Sequence, residues 1–368
     1  MPFAAALRDA GHEVRVGAPA SFASAVQRAG FAHAPLADAP ADETGPVLAR
    51  LPALSREEAN AVVIREIFCG TNVRAALPAM QAVADRWRPD LVLRETAEFA
   101  SYLVAERTGI PHAQVAVSVA SFEEVIRPLV DEPLRQFGST LGTAGLLAAP
   151  RLTLVPASLE DQTQPVARPT HRFRQALPPD APTDLPRGWW PESRAPLVYV
   201  TFGSVAATVG FFPDFYRAVL VALADLPVRV LLTLGAAGDP ERLGSLPSNV
   251  HVERWWPQEQ VMPHAEAMVA HGGFGTTLLG LSAGIPMVVV PLFTLDQYAN
   301  ARCVQAVGAG VALEDGPAAP ARVRRALEQV LGNAAYRVAA RRVADEIADL
   351  PHPSECVAML EALVKNEA

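Results

Sequence analysis

Apolar and polar positions alternate between two periods along this chain. Short strand-like apolar runs recur at EVRVGAP (13–19), DLVLRE (90–95), HAQVAVS (112–118) and RLTLVP (151–156). Between them lie stretches with helical spacing, such as RAALPAMQAVADRW (74–87) and FASYLVAERTG (99–109). The opening PFAAALRDA (2–10) also reads as helix, with Pro2 suited to a first turn and Gly11 to a C-terminal cap. Strands alternating with helices predict an α/β fold with parallel, doubly wound sheets. The pattern breaks in the Pro-rich QALPPDAPTDLPRGWWPESRAP (175–196), which reads as a linker. It then restarts with PLVYVTFGS (196–204), a helix from about Phe215 to Ala224, VRVLLTL (228–234), NVHVERW (249–255), AMVAHGG (267–273), a helix from Gly275 to Ala283, and PMVVVPL (286–292). A last helix, PHPSECVAMLEALVKNE (351–367), follows a proline break. The expected division is an N-terminal domain over 1–175, a linker over 176–195, a C-terminal domain over 196–350 and a terminal helix over 351–368.

Length and charge narrow the function classes. A chain of 368 residues is too long for one ordinary core and fits two domains. No apolar run reaches the roughly 18 residues that span a bilayer, so no membrane partner is expected; Leu141 to Ala149 is short and ends at Pro150. A formal charge of −8 argues against nucleic acid. Cys69, Cys303 and Cys356 are widely spaced and form neither a metal pattern nor a disulfide framework, which implies a reduced, cytoplasmic protein. Met1-Pro2-Phe3 leads into a helix without the basic region of a secretory leader.

The candidate chemistry lies at four strand ends. AMVA is a buried strand, so His271 stands at its carboxyl end, where parallel α/β sheets bind ligands. GGFGTT then opens a helix. Glycines let backbone approach an anion, free N–H groups and the helix dipole hold it, and Thr276 and Thr277 add hydroxyls. These residues point to a phosphate or diphosphate. In WWPQ (255–258) an aromatic ring can stack on a nucleobase. In TFGS (201–204), Gly203 gives space and Ser204 a hydroxyl. In DQYAN (296–300), Asp296 and Gln297 carry the donors and acceptors that sugar hydroxyls require. Taken singly, each has an ordinary structural reading: a packing turn, a half-buried Trp, a loop, a helix cap.

The order W-x-P-Q, HGGxGT, A-G-I-P, D-Q-x-x-N-A resembles the nucleotide-sugar signature of family 1 glycosyltransferases, and most of all the bacterial enzymes that glycosylate antibiotics and other secondary metabolites. The resemblance covers nearly the whole chain. It implies the GT-B fold: two Rossmann-like domains facing a cleft, the C-terminal one holding the donor and the N-terminal one the acceptor, with the final helix crossing back. By position, Trp255 would stack on the base with Gln258 beside it. Ser204, His271, Gly273, Gly275 and Thr276 would hold the diphosphate, and Asp296 and Gln297 the sugar. Plant members carry a ribose-gripping glutamate where this chain has Leu279, which favours dTDP, whose deoxyribose lacks the 2′-hydroxyl, over UDP. The implied reaction is an inverting transfer to a hydroxyl of a small apolar acceptor. It needs no cofactor or metal, and the chain has no D-x-D pair.

The family's base is a histidine in a loop after the first N-terminal strand. This chain matches the family from the following helix onward, so the first strand and the base are expected upstream of Met1, about twenty or more residues away. His12 opens a strand at the wrong end for chemistry, and His33, His112 and His171 carry no supporting motif. Glu95 aligns with the aspartate that orients the base, or is a surface carboxylate. Phe68, Phe122 and Phe137 are candidate acceptor contacts that also fit plain packing. Three other readings stand beside the transferase: a catalytically silent homologue that binds nucleotide sugar or a partner, an epimerase on the same fold, and a dinucleotide oxidoreductase, which lacks a G-x-G-x-x-G. The oligomeric state, a homodimer included, is open.

Overall fold

The computed structural model describes residues 1–160, 168–175, 185–190, 193–208, 210–235 and 237–367. They fall into two compact units. The first comprises the described residues of Met1–Thr153, Thr163–Ala176 and Pro351–Ala368, the second those of Leu154–Gln162 and Leu177–Leu350. One stretch from the first 175 residues therefore belongs to the second unit, where the Ser158 amide donates to Glu346 Oε1 at 3.1 Å. Of the expected linker, residues 176–184 and 191–192 lie outside the described residues. Its Arg187–Trp189 turn lies on the second unit, with Trp189 stacked on His251 at 4.2 Å between ring centres.

In the first unit, β1 (Arg15–Pro19) pairs in parallel with β2 (Ala32–Leu36) as a two-stranded sheet. Strands β3 (Val92–Glu95), β4 (His112–Val115), β5 (Arg151–Thr153) and β6 (Thr170–Arg172) form a separate parallel sheet in chain order. Among the described residues no strand pairs with both β1 and β3. Strands β4 and β5 are shorter than the apolar runs suggest. Helix Ala120–Gln136 keeps Pro128 and Pro133 inside it, and residues 56–87 run as one helix whose middle, Val63–Thr71, is a π segment. The terminal helix Cys356–Glu367 packs on helix Pro2–Asp9, and His12 Nε2 lies 3.1 Å from Glu361 Oε1.

The second unit holds a six-stranded parallel sheet: β7 (Leu197–Thr201), β8 (Arg229–Thr233), β9 (Val250–Glu253), β10 (Ala265–Ala270), β11 (Met287–Val289) and β12 (Gly310–Ala312), in the order β12-β11-β10-β7-β8-β9. Helices on both faces bury the central strands, which is why they read as continuous apolar runs. From β7 the chain winds outward through β8 and β9, then returns to start again at β10. The switch point of a doubly wound sheet therefore lies between β7 and β10. Among the described residues no helix is long and apolar enough to cross a membrane.

Candidate active site

The carboxyl ends of β7 and β10 meet at that switch point. After β10 the chain runs through His271, Gly272 and Gly273 into helix Phe274–Ser282. The first helical bond is from the Thr277 amide to Gly273 O, 3.0 Å, so the amides of Phe274, Gly275 and Thr276 precede the ladder with no intrahelical carbonyl to meet. Gly273, the residue before the helix, has no side chain to cap them. Two buried polar atoms are left without a partner here: His271 Nδ1 and Thr277 Oγ1. Orphaned polar atoms are costly in a native core, and these two lie beside the uncapped helix start.

His271 is gripped on both sides. A Cβ at Gly203, after β7, would lie 2.7 Å from the imidazole Cε1, and one at Gly273 would overlap Nε2. Gly203 also has φ +75°, which a side chain resists. Burial pushes the His271 pKa down to about 4, against the opposing effect of its contact with the Thr201 backbone, so the imidazole is neutral at pH 7. It therefore offers one N–H and one lone pair, and its pull on an anion is that of a hydrogen-bond donor.

Asn300 joins the fourth strand end to this turn. Its Nδ2 donates to Gly272 O at 2.8 Å, and the space above Gly272 is filled by the Gln297 backbone. Helix Leu295–Ala306 thus carries Asp296 and Gln297 to the His-Gly-Gly turn. The Gln297 carboxamide oxygen accepts from the Leu292 amide (2.9 Å) and the Phe293 amide (3.3 Å), which leaves its Nε2 as the group available to a ligand. Burial raises the Asp296 pKa, opposed by its hydrogen bonds to Thr294 and the helix amides.

Trp255 and Gln258 follow β9. The Trp255 side chain is 67% exposed, an open aromatic face. Gln258 Nε2 lies 3.2 Å from Thr276 Oγ1, which ties the β9 loop to the helix of the His-Gly-Gly turn. Leu279 sits one turn on from Thr276 and is half-buried. Beneath them the buried Tyr199 hydroxyl bonds Thr233 Oγ1 at 2.8 Å. Ser204 lies beside Gly235, whose absent Cβ lets the ends of β7 and β8 close to about van der Waals contact. These contacts bring Gln258, His271, Gly273, Thr276 and Gln297 together. Thr277 and Asn300 were visible as members of their motifs, but only packing shows what they hold.

Glu95 belongs to the first unit, at the end of β3. Its Oε2 accepts from the Ala97 amide at 3.0 Å, and burial raises its pKa to about 7. His12 and His33 are occupied, by Glu361 and by the Ala18 carbonyl. Phe68, Phe122 and Phe137 pack against the apolar cluster around Tyr102 and Val130.

A doubly wound unit with an anion-ready turn at its switch point, joined to a second parallel α/β unit, is the build of a GT-B glycosyltransferase. Known proteins carry this further. Residues 5–167 and 217–363 match the N- and C-terminal domains of the erythromycin biosynthesis protein CIII-like family. The 4′-demethylrebeccamycin synthase of Lentzea aerocolonigenes is 29% identical, over 99% of this chain and 96% of that protein. The L-demethylnoviosyl transferase of Streptomyces niveus is 32% identical, over 96% and 91%. Among solved structures, the glycosyltransferase SsfS6 of Streptomyces sp. SF2575, complexed with thymidine diphosphate, superposes with a TM-score of 0.74 at 28% identity, over 98% of this chain and 94% of that one. The chain belongs to the antibiotic-type family 1 glycosyltransferases, and is an enzyme of that class.

Proposed function

We propose that this enzyme moves a deoxysugar from a dTDP-sugar, with UDP-sugars as the weaker donors, to a hydroxyl of an apolar natural-product acceptor. The observation that carries the reading is the pair of buried, partnerless groups, His271 Nδ1 and Thr277 Oγ1, at an uncapped helix start on the switch point. A diphosphate supplies the lone pairs they lack. Trp255 stacks on the base, with Gln258 at its edge, and Ser204, Gly273, Gly275 and Thr276 line the diphosphate. Gln297 Nε2 donates to a sugar oxygen, and Asp296 accepts from a sugar hydroxyl. Leu279 offers no acceptor for a ribose 2′-hydroxyl, which supports dTDP; SsfS6, the relative above, is known with that nucleotide.

In the transfer, the acceptor oxygen bonds to the anomeric carbon as the bond to the diphosphate breaks on the opposite face, which inverts the centre. The acceptor's proton leaves to the base that the resemblance implies, a histidine of the loop after the first N-terminal strand, with Glu95 in the place of the carboxylate that orients it. The negative charge growing on the diphosphate meets donors already in place, the helix amides and the His271 N–H, so little reorganisation is needed. Titration calorimetry with dTDP and UDP, on the wild-type chain and His271→Ala, tests the donor site. Micromolar dTDP binding that weakens in the variant is expected. Binding of neither nucleotide overturns the reading. Nucleotide binding with no transfer across a panel of acceptor alcohols and phenols would instead mark a silent homologue.

A further inference from the structure

Two glycines in series leave a peptide bond with no side chain on either side to orient it. Gly272 and Gly273, between β10 and helix Phe274–Ser282, are such a pair. Neither has room for a side chain: a Cβ at Gly272 would lie 2.7 Å from the Gln297 carbonyl oxygen, and one at Gly273 would overlap the His271 ring. Gly272 also has φ +86°, which glycine adopts at no steric cost.

The direction of this peptide matters because its two edges carry opposite partial charges. The bond is trans, so its C=O and N–H point opposite ways. One edge offers an anion a hydrogen; the other meets it with a negative oxygen. The Gly273 amide donates to no group among the described residues, and the amides of Phe274, Gly275 and Thr276 follow it ahead of the helical ladder. Turning the peptide over would replace one of four successive donors at this turn with a repelling carbonyl.

One side chain settles the direction. Asn300, on helix Leu295–Ala306, is 4% exposed, and its Nδ2 donates to Gly272 O at 2.8 Å. A carbonyl oxygen only accepts, so the carboxamide must present its NH2 here. The carbonyl is thereby held on the Asn300 side, and the Gly273 N–H points away from that helix. The helix is itself pinned, because Gln297 Oε1 accepts from the Leu292 and Phe293 amides beyond β11. Losing the Asn300 bond would leave a buried acceptor unpaired, which costs more than the bond itself is worth.

We propose that Asn300 is a positioning residue for the transfer: it holds the Gly272–Gly273 peptide so that the Gly273 N–H, and not the Gly272 carbonyl, faces the diphosphate of the donor. It acts through the peptide alone. That the anion is a diphosphate rests on the donor reading above; that Asn300 sets the peptide's direction rests on the geometry.

Gly272–Gly273 is the one Gly–Gly pair in the chain. Glycine labelled at its carbonyl carbon and amide nitrogen therefore gives a single NMR cross-peak between a labelled carbonyl and a labelled amide, and that peak reports both ends of this peptide. In the wild type, saturating dTDP or inorganic pyrophosphate is expected to move the Gly273 amide proton downfield, while thymidine, which lacks the phosphates, leaves it in place. Asn300→Ala should move the Gly272 carbonyl carbon upfield before any ligand is added. It should weaken dTDP and pyrophosphate roughly tenfold, the worth of one hydrogen bond to a charged group, with thymidine unchanged. Asn300→Asp sharpens the test. An ionised carboxylate repels the Gly272 oxygen, whereas a protonated one donates to it as the amide does. Asp296, one helical turn earlier, favours the protonated form. Asp296 and His271, the titratable groups of this turn, are common to both proteins and cancel when each affinity is divided by the wild-type value at the same pH. That ratio should recover for Asn300→Asp as pH falls from about 8 to about 5, and stay flat for Asn300→Ala.

A merely structural Asn300 would lower the melting temperature and leave the pyrophosphate-to-thymidine affinity ratio where it was. Melts on the same samples show which variants are folded. Should neither fold, the wild-type cross-peak decides alone: an amide that moves with dTDP supports the proposal, and one that does not overturns it. Folded Asn300→Ala that binds pyrophosphate like the wild type, or Asn300→Asp whose ratio tracks that of Asn300→Ala at every pH, also overturns it. Each of these failures leaves the donor reading standing while the wild type binds dTDP. A wild type that binds neither dTDP nor pyrophosphate sinks the donor reading and this proposal with it.

Discussion

The two units place polar groups around a parallel sheet in different ways. In the second unit they gather outside the strand ends, the central strands beneath stay largely apolar, and two of the buried atoms without a partner, His271 Nδ1 and Thr277 Oγ1, sit at one turn. In the first unit they lie within the sheet as Arg94, Gln114 and Arg151, and satisfy most of one another's needs. The first arrangement leaves the first amides of a helix uncapped at an open turn. The second is largely self-sufficient, each group meeting others of the same row.

The strongest way to break this contrast is at the switch point. Gly203→Ala drives a Cβ into the His271 ring. It should weaken dTDP binding by about 2–3 kcal/mol, or some 30- to 150-fold, the worth of a hydrogen bond to a charged group. Calorimetry checks this, and unchanged affinity would mean that the imbalance at His271 has no bearing on the ligand.

Next in size is the opposite response of the two units to pH. Glu95 has a folded-state pKa of about 7 against an ordinary 4.5, so its contribution to stability is full below pH 4.5 and is lost as pH rises through 7. Glu95→Gln should therefore match the wild type near pH 4.5 and exceed it by up to about 3 kcal/mol above pH 7 in urea titrations. His271, held down to about 4 from 6.5, works in reverse: its contribution is present above pH 6.5 and is lost as pH falls through 4. A Glu95→Gln difference that did not vary with pH would remove the buried carboxyl from the account of the first unit.

Smaller effects sharpen the picture of the second unit. Trp255→Ala should weaken dTDP by roughly tenfold while leaving inorganic pyrophosphate unchanged, because stacking reaches only the base. Equal losses for both ligands would place Trp255 away from the base. The smallest shift is expected for Leu279→Glu, which should move the UDP-to-dTDP affinity ratio a few-fold toward UDP by supplying an acceptor for the 2′-hydroxyl. An unchanged ratio in competition binding would show that Leu279 does not face the ribose.

The contrast also explains what could be read from the chain. The switch-point residues sit in contiguous motifs at the ends of strong apolar runs, so strand, turn and helix start are all visible, and with them His271, Gly273 and Thr276. The row in the first unit is not contiguous. Arg94 in DLVLRE looks like the outward position of an alternating strand, and Gln114 in HAQVAVS looks the same. Only the register across β3, β4 and β5, and the helix laid over them, turns these residues inward. The π segment at Val63–Thr71 is hidden for a similar reason, since its residues are ordinary helix formers and the extra backbone residue leaves no trace in the apolar spacing.

The imidazole held between Gly203 and Gly273 also bears on how this site can change over generations. While the ring is present, Gly273 cannot gain a side chain; once it is replaced by something smaller, Gly273 is released, and a side chain that then fills the gap bars the ring's return, while Gly203 stays fixed by its positive φ. Substitutions at positions 271 and 273 are therefore accessible in one order and closed in the other. A lineage that leaves this arrangement meets a ratchet at the very residues that once made it reversible.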